Sequence, residues 1–233
     1  MAAQFLNYAR QGAGPPLILL HGNGEDNSYF VNQMGAFSLH YTVYAVDTRG
    51  HGKSPRGDQP FTMAQFAEDL LEFLDNERIQ KANILGFSDG ANIALTFALA
   101  HQERVDRLIL NGGNLDPKGV KPQVQIPIVM GYYAAALIAK VDRKAKLKAE
   151  ILGLMVKEPH IKIEDLKKLY VPTLVIVGTR DMIKDSHTLA IARALPCGRL
   201  EMIVGDHFVA AKNPDEFNEA VAAFLADTRS DLL

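Results

Sequence analysis

A serine lies between two glycines in the segment Asn83-Ile84-Leu85-Gly86-Phe87-Ser88-Asp89-Gly90-Ala91-Asn92-Ile93-Ala94-Leu95. A short apolar run ends at Leu85, and a helical apolar pattern continues after the serine to about Ala100. This order predicts a strand, a tight turn and a helix, and the glycines allow the strand and helix to approach closely. Ser88 would lie at the N-terminus of that helix, where backbone N–H groups favour negative charge. Ser88 is therefore a candidate nucleophile, although a serine in this turn can also serve only as a helix cap.

Alternating strand and helix patterns extend outward from this segment in both directions. Further apolar runs predict strands over residues 5–8, 17–20, 42–46, 105–110, 173–177 and 200–204. Helices are predicted over 28–37, with Ser28 as a candidate cap, over 62–76, with Thr62 as the cap, and over 186–195 and 214–226. Strands that alternate with helices indicate a parallel sheet with right-handed crossovers and helices on both faces. The sequence predicts an α/β fold with a mostly parallel, doubly wound sheet of about seven strands.

The alternation stops between residues 115 and 166, where no good strand pattern occurs. Three prolines, Pro117, Pro122 and Pro127, mark the entry to this region. Helical patterns follow over 128–141 and 143–156, and a weaker one begins near residue 164. We predict a small helical cap at 115–166, inserted between core segments 1–114 and 167–233. The lysines at positions 140, 144, 146 and 148 are expected to form a solvated helix face, with a binding patch as the alternative.

The composition excludes several classes of protein. A formal charge of −2 over 233 residues gives no reason to expect nucleic acid or an anionic membrane as the main partner. One cysteine, Cys197, excludes an intrachain disulfide and a multi-cysteine metal site. The first residues lack a secretion-signal pattern, and the longest apolar run, at 126–139, is too short to span a bilayer. We expect a cytoplasmic protein that acts on a small molecule. The sequence does not determine its oligomeric state.

Reactive side chains follow several of the predicted strands. Because ligands bind beyond the carboxyl ends of the strands in open parallel sheets, Ser88, Asp181 and His207 are expected to meet at one edge. A serine hydroxyl needs a base to remove its proton, an imidazole can do this near neutral pH, and a carboxylate holds the imidazole in the right tautomer. The chain order of serine, aspartate and histidine is the one expected for this topology.

Five motifs together resemble the α/β-hydrolase superfamily over residues 15–225. In chain order they are His21-Gly22-Asn23-Gly24, Asp47-Thr48-Arg49-Gly50-His51-Gly52-Lys53-Ser54, Gly86-Phe87-Ser88-Asp89-Gly90, Gly178-Thr179-Arg180-Asp181 and Asp206-His207-Phe208. The resemblance implies that Ser88 is the nucleophile, His207 the general base and Asp181 the acid that orients it. It also implies an oxyanion hole formed by the backbone N–H groups of Asn23 and Asp89.

Alternatives exist for several of these roles. Asp185 could supply the acid instead of Asp181, whereas Asp206 adjoins His207 too closely in the loop to reach its ring correctly. By resemblance, His21 and His51 are structural residues that brace loops under the site. No histidine pair has metal-ligand spacing with a carboxylate partner, so a metal centre is not expected. The reaction that the resemblance implies needs neither a metal nor an organic cofactor.

The substrate is less well defined by the sequence. Asp89 and Glu25 could favour acyl groups that carry an amine, unless the Asp89 side chain turns away to bond the loop backbone. Apolar residues of the cap could line an acyl pocket or form the seam between its helices: Met130, Tyr132, Tyr133, Leu137, Ile151, Leu154 and Met155. We predict hydrolysis of a small carboxylic ester, and cleavage of a lactone, a thioester or an amide is the next candidate. The alternatives are carbon–carbon bond hydrolysis or perhydrolysis by the same triad, and a ligand-binding protein without catalysis.

Overall fold

A seven-stranded sheet forms the centre of the molecule. The computed structural model describes residues 6–227. The strands are β1 (Tyr8–Gln11), β2 (Pro16–Leu20), β3 (Thr42–Val46), β4 (Ala82–Phe87), β5 (Val105–Asn111), β6 (Thr173–Gly178) and β7 (Gly198–Ile203). Their spatial order is β1-β3-β2-β4-β5-β6-β7, and every neighbouring pair is parallel except β1 with β3. The predicted fold class is confirmed, because a mostly parallel sheet with strand order reversed about β2 and β4 is doubly wound.

Helices cover both faces of the sheet. They are α1 (Val31–Phe37), α2 (Met63–Asn76), α3 (Asp89–Ala100), α4 (Pro122–Ile138), α5 (Arg143–Lys157), α6 (Ile163–Leu166), α7 (Asp185–Ala194), α8 (Val209–Lys212) and α9 (Pro214–Ala226). One apolar cluster joins α2, α3 and α7 to the sheet, and the other joins α1, α8 and α9 to its opposite face. Burial on both faces explains why β2, β3 and β4 read as continuous apolar runs rather than alternating ones.

Several predicted boundaries differ from the structure. The first strand begins at Tyr8, where the predicted strand ends, and Phe5 lies outside the described residues. The N-cap at the start of the predicted helix 28–37 is Asp26 rather than Ser28, because the Asp26 carboxylate accepts a hydrogen bond from the Ser28 N–H. A 3₁₀ turn over Asn27–Phe30 precedes α1. Thr62 caps α2 as predicted, through a hydrogen bond from the Gln65 N–H to its hydroxyl.

The region between β5 and β6 is helical, as the loss of strand patterns predicted. Helix α4 starts at Pro122 rather than at 128, since proline suits the first position of a helix and Pro127 is accommodated inside it. Helix α5 is held to the core by an ion pair between Glu150 and Arg56 and by a hydrogen bond from the Asn23 side chain to the Ile151 carbonyl. The division of the chain into a core and a cap with bounds at 115 and 166 stays a prediction.

Candidate active site

The connection between β4 and α3 is the tight turn that the glycine pattern predicts. Ser88 has φ 53° and ψ −118°, a backbone conformation that L-residues rarely adopt, and its N–H donates to the Asn111 carbonyl at 2.8 Å. A Cβ on Gly86 would lie 2.2 Å from the Gly90 carbonyl oxygen, and a Cβ on Gly90 would lie 2.0 Å from the Leu20 carbonyl oxygen. Both positions therefore require glycine. The close contact of the turn with neighbouring backbone holds Ser88 in its strained conformation.

A histidine and an aspartate meet beside this turn. Nδ1 of His207 lies 2.8 Å from Oδ1 of Asp181, and both side chains are buried. The Asp181 carboxylate also accepts a hydrogen bond from the Ile183 N–H at 2.8 Å, which fixes its orientation. The two other aspartates considered from sequence are engaged elsewhere, Asp185 with a lysine and Asp206 with a different lysine. The structure thus brings His207 to Asp181 and to neither of the others.

Glycine at position 112 makes room for that pair. Gly112 has φ +63°, and a Cβ there would lie 2.7 Å from Cε1 and 2.9 Å from Nδ1 of His207. The preceding residue, Asn111, holds the Ser88 N–H, so the serine and the histidine lie next to the same short stretch of backbone. The Phe87 ring packs 4.9 Å from the imidazole, measured between centroids. The local sequence gives no sign of this need for glycine, because it arises from a ring distant in the chain.

The predicted oxyanion donors lie on the loop after β2 and at the start of α3, and their side chains contact each other. Nδ2 of Asn23 donates to Oδ2 of Asp89 at 2.8 Å and to the Ile151 carbonyl at 2.8 Å. Asp89 is the first residue of α3, and the first N–H groups of a helix have no partner within it. Burial raises the pKa of Asp89 to about 6. The idea that its carboxylate bonds the loop backbone is wrong, since it accepts a hydrogen bond from the Asn23 amide instead.

Glu25 lies on the same loop as Asn23 and is half-buried. One of its carboxylate oxygens accepts a hydrogen bond from the Gly22 N–H at 3.1 Å, and burial raises the pKa of Glu25 to about 7. Because the Asp89 carboxylate is engaged by Asn23, a preference for amine-bearing acyl groups would depend mainly on Glu25. That preference stays a prediction.

Buried polar contacts brace the loops beneath the site. Nε2 of His21 accepts a hydrogen bond from the Thr48 N–H at 3.0 Å, and burial lowers the pKa of His21 to about 4, so this imidazole is neutral at pH 7. The Asp47 carboxylate accepts from the N–H groups of Asn27 and Lys53, at 2.7 and 2.9 Å. These contacts tie the loops after β2 and β3 together and hold the Asn23 loop in place.

A cavity of about 470 Å³ opens beside Asp181 and His207. Its wall includes Val124 from the first turn of α4, as well as Met182 and Phe208. Met130 and Tyr133, predicted to contact substrate, lie instead on the outer face of α4 and are 67% and 65% exposed. A helical apolar pattern does not show which face turns inward when the whole helix is apolar. Within residues 6–227, no group of three acidic, histidine or cysteine side chains is placed to hold a metal ion.

Comparison with known proteins identifies the family of the chain. The family described as "alpha/beta hydrolase fold" matches residues 15–137, just over half of the chain. The chain therefore belongs to the alpha/beta hydrolase family, and it is a hydrolase.

Particular relatives extend the likeness over nearly the full length. The protein named "Putative carbamate hydrolase RutD" from Caulobacter sp. (strain K31) is 27% identical, with 90% of each chain covered. A solved hydrolase structure from Pseudomonas aeruginosa PA01 is 26% identical, with a TM-score of 0.78 and 95% and 94% of the two chains covered. A meta-cleavage product hydrolase structure from Pseudomonas fluorescens IP01 is 25% identical, with a TM-score of 0.76 and 94% and 93% covered.

Proposed function

We propose that the chain is a serine hydrolase that cleaves a small carboxylic ester through an acyl-enzyme on Ser88. One observation carries this proposal: the contact between Nδ1 of His207 and Asp181, next to a serine on a strained strand-to-helix turn. An ionised carboxylate accepts hydrogen bonds only, so it selects the tautomer with the proton on Nδ1. Nε2 is then unprotonated and able to act as a base.

The reaction follows from that tautomer. The Ser88 oxygen attacks the acyl carbonyl while Nε2 of His207 takes the hydroxyl proton, and Asp181 stabilises the resulting imidazolium. Negative charge on the carbonyl oxygen is held by the N–H groups of Asn23 and Asp89, and such donors usually make the largest single contribution to catalysis. His207 next protonates the leaving alkoxide. The same imidazole then activates a water molecule, which releases the carboxylic acid and regenerates the serine.

The cavity beside His207 could hold part of a modest substrate. A cavity of about 470 Å³ beside His207 lies toward the lower end of the range of about 300–1,000 Å³ that small-molecule sites occupy. Lactones, thioesters, amides and carbamates present the same kind of carbonyl, and the RutD relative is named for the last of these. A second candidate reaction is hydrolysis of a carbon–carbon bond next to a ketone, favoured by the likeness to the meta-cleavage product hydrolase.

Hydrolysis of p-nitrophenyl acetate by the wild type and by Ser88→Ala tests the proposal. We expect turnover in the wild type and a loss of at least about a thousandfold in the variant, because removal of the nucleophile removes the acyl-enzyme route. Circular dichroism of both proteins verifies that the fold is unchanged. Equal turnover by the two proteins would refute the role of Ser88. An assay of a γ-lactone, a phenyl carbamate and a vinylogous diketone then separates the candidate reactions.

A further inference from the structure

Helix α4 has an apolar outer face. No charged residue occurs between Pro122 and Ile138. The side chains of Ile126, Met130, Tyr133 and Leu137 are 58%, 67%, 65% and 67% exposed. A helix on a protein surface ordinarily carries its polar residues on the outer side, so an exposed apolar face of this extent marks an interaction surface.

These side chains lie along one line on the helix. Their spacings of four, three and four residues place them on a single stripe that spans about 16 Å, at 1.5 Å per residue. Val141, just beyond the helix end and 91% exposed, continues the stripe. We call these five side chains, at positions 126, 130, 133, 137 and 141, the outer stripe. The opposite side of α4 packs on α5, where the Gln125 amide donates to the Met155 carbonyl and Ala135 is buried.

Basic residues begin at the end of the outer stripe and continue beyond it. Positions 140–148 hold five basic residues and one acidic residue, although the whole chain carries a formal charge of −2. Lys140, Lys146 and Lys148 are exposed. Helix α4 holds no charged residue between Pro122 and Ile138, so a second copy placed against the outer stripe would offer these lysines no carboxylate from its own α4. An anionic surface would be attracted to the same segment.

We propose that the outer stripe docks on an anionic lipid bilayer, with α4 lying in the plane of the interface. Exposed Met, Tyr, Leu and Ile side chains would enter the boundary between headgroups and acyl chains, and the lysines would contact lipid phosphates. No helix in the described range 6–227 is long and apolar enough to cross a membrane, so docking is peripheral. The sequence-based expectation of no membrane partner used the net charge, which conceals this local asymmetry.

A tryptophan introduced on the outer stripe tests the proposal, since the sequence contains none. In Met130→Trp we expect a blue shift of emission, and quenching by brominated lipid, on addition of vesicles of phosphatidylcholine mixed with an equal amount of phosphatidylglycerol. Leu39→Trp is the matched control, because Leu39 is 75% exposed and precedes β3, at the end of the sheet opposite to the one that α4 follows. That variant should show neither change.

Further variants and controls decide the outcome. Adding Leu137→Gln and Val141→Gln to Met130→Trp should weaken vesicle binding at least about tenfold, since each change removes an apolar side chain from the contact. Both positions are exposed, so circular dichroism should show an unchanged fold.

Equal response to vesicles of phosphatidylcholine alone would overturn the proposal, as would no response to either composition. An emission shift that depends on protein concentration without lipid would assign the outer stripe to a second copy. No substrate is used, so this test is independent of the proposed hydrolysis.

Discussion

The backbone at Ser88 stores strain that a substitution can release. With φ 53° and ψ −118°, the residue lies outside even the left-handed helical region, so its cost is at the upper end of about 1–3 kcal/mol. Ser88→Gly removes the Cβ that causes this cost, whereas Ser88→Ala keeps it. Compared with alanine, glycine gives the unfolded chain more conformational entropy and lacks one buried methyl group. Together these two effects lower the stability of Ser88→Gly by roughly 1–2 kcal/mol. We expect Ser88→Gly to be more stable than Ser88→Ala by about 1–2 kcal/mol.

Urea unfolding followed by circular dichroism measures this difference. Both variants lack the hydroxyl, so neither gains or loses the proposed chemistry relative to the other, and equal m-values would verify that the unfolding reactions are comparable. Arg78 is a matched control, since it has φ 57° on the exposed turn after α2, away from the site. Arg78→Gly should be more stable than Arg78→Ala by about 1 kcal/mol, a difference in the same direction as the one expected at position 88. A Ser88→Gly protein no more stable than Ser88→Ala would refute the strain argument.

Three other substitutions test the site. Because burial raises the folded-state pKa of Asp89 above its unfolded value, the contribution of Asp89 to stability should fall by up to about 3 kcal/mol as pH rises from 4 through 6. Urea unfolding of Asp89→Asn should lack this part of the pH dependence that the wild type shows. Asn23→Ala removes one amide donor from that buried carboxylate, which should cost about 1–3 kcal/mol and appear as a lower Tm. Gly112→Ala should lower kcat at least about a hundredfold by displacing His207, whereas Gly35→Ala, where a methyl group meets open space, should leave kcat unchanged.

The parts of the site that depend on local sequence could be predicted. Gly86 and Gly90 flank Ser88 within one turn, so their spacing alone indicates a strand-to-helix connection. The meeting of Asp181 with His207 could be anticipated because both follow parallel strands, whose carboxyl ends share one edge of the sheet. In each case a short-range pattern or a rule of topology fixes the position.

Features that depend on distant contacts could not be predicted. The need for glycine at position 112 comes from the volume of the His207 ring, and the partner of Asp89 proved to be a side chain on another loop. Proline at position 127 suggested a later start for α4, but the helix accommodates it. Met130 and Tyr133 were assigned to the pocket because they are apolar, while the direction each side chain takes depends on how α4 packs against α5.

The hydrogen bond that Asn23 donates to α5 ends on a main-chain atom, the Ile151 carbonyl. Every amino acid supplies that acceptor, so residue 151 can change identity without removing the link between the loop that carries Asn23 and α5. Only a shift of the helix axis or a change at Asn23 would break it. Replacements of α5 that keep its backbone path should therefore preserve the position of the loop that carries Asn23, one of the two proposed oxyanion donors.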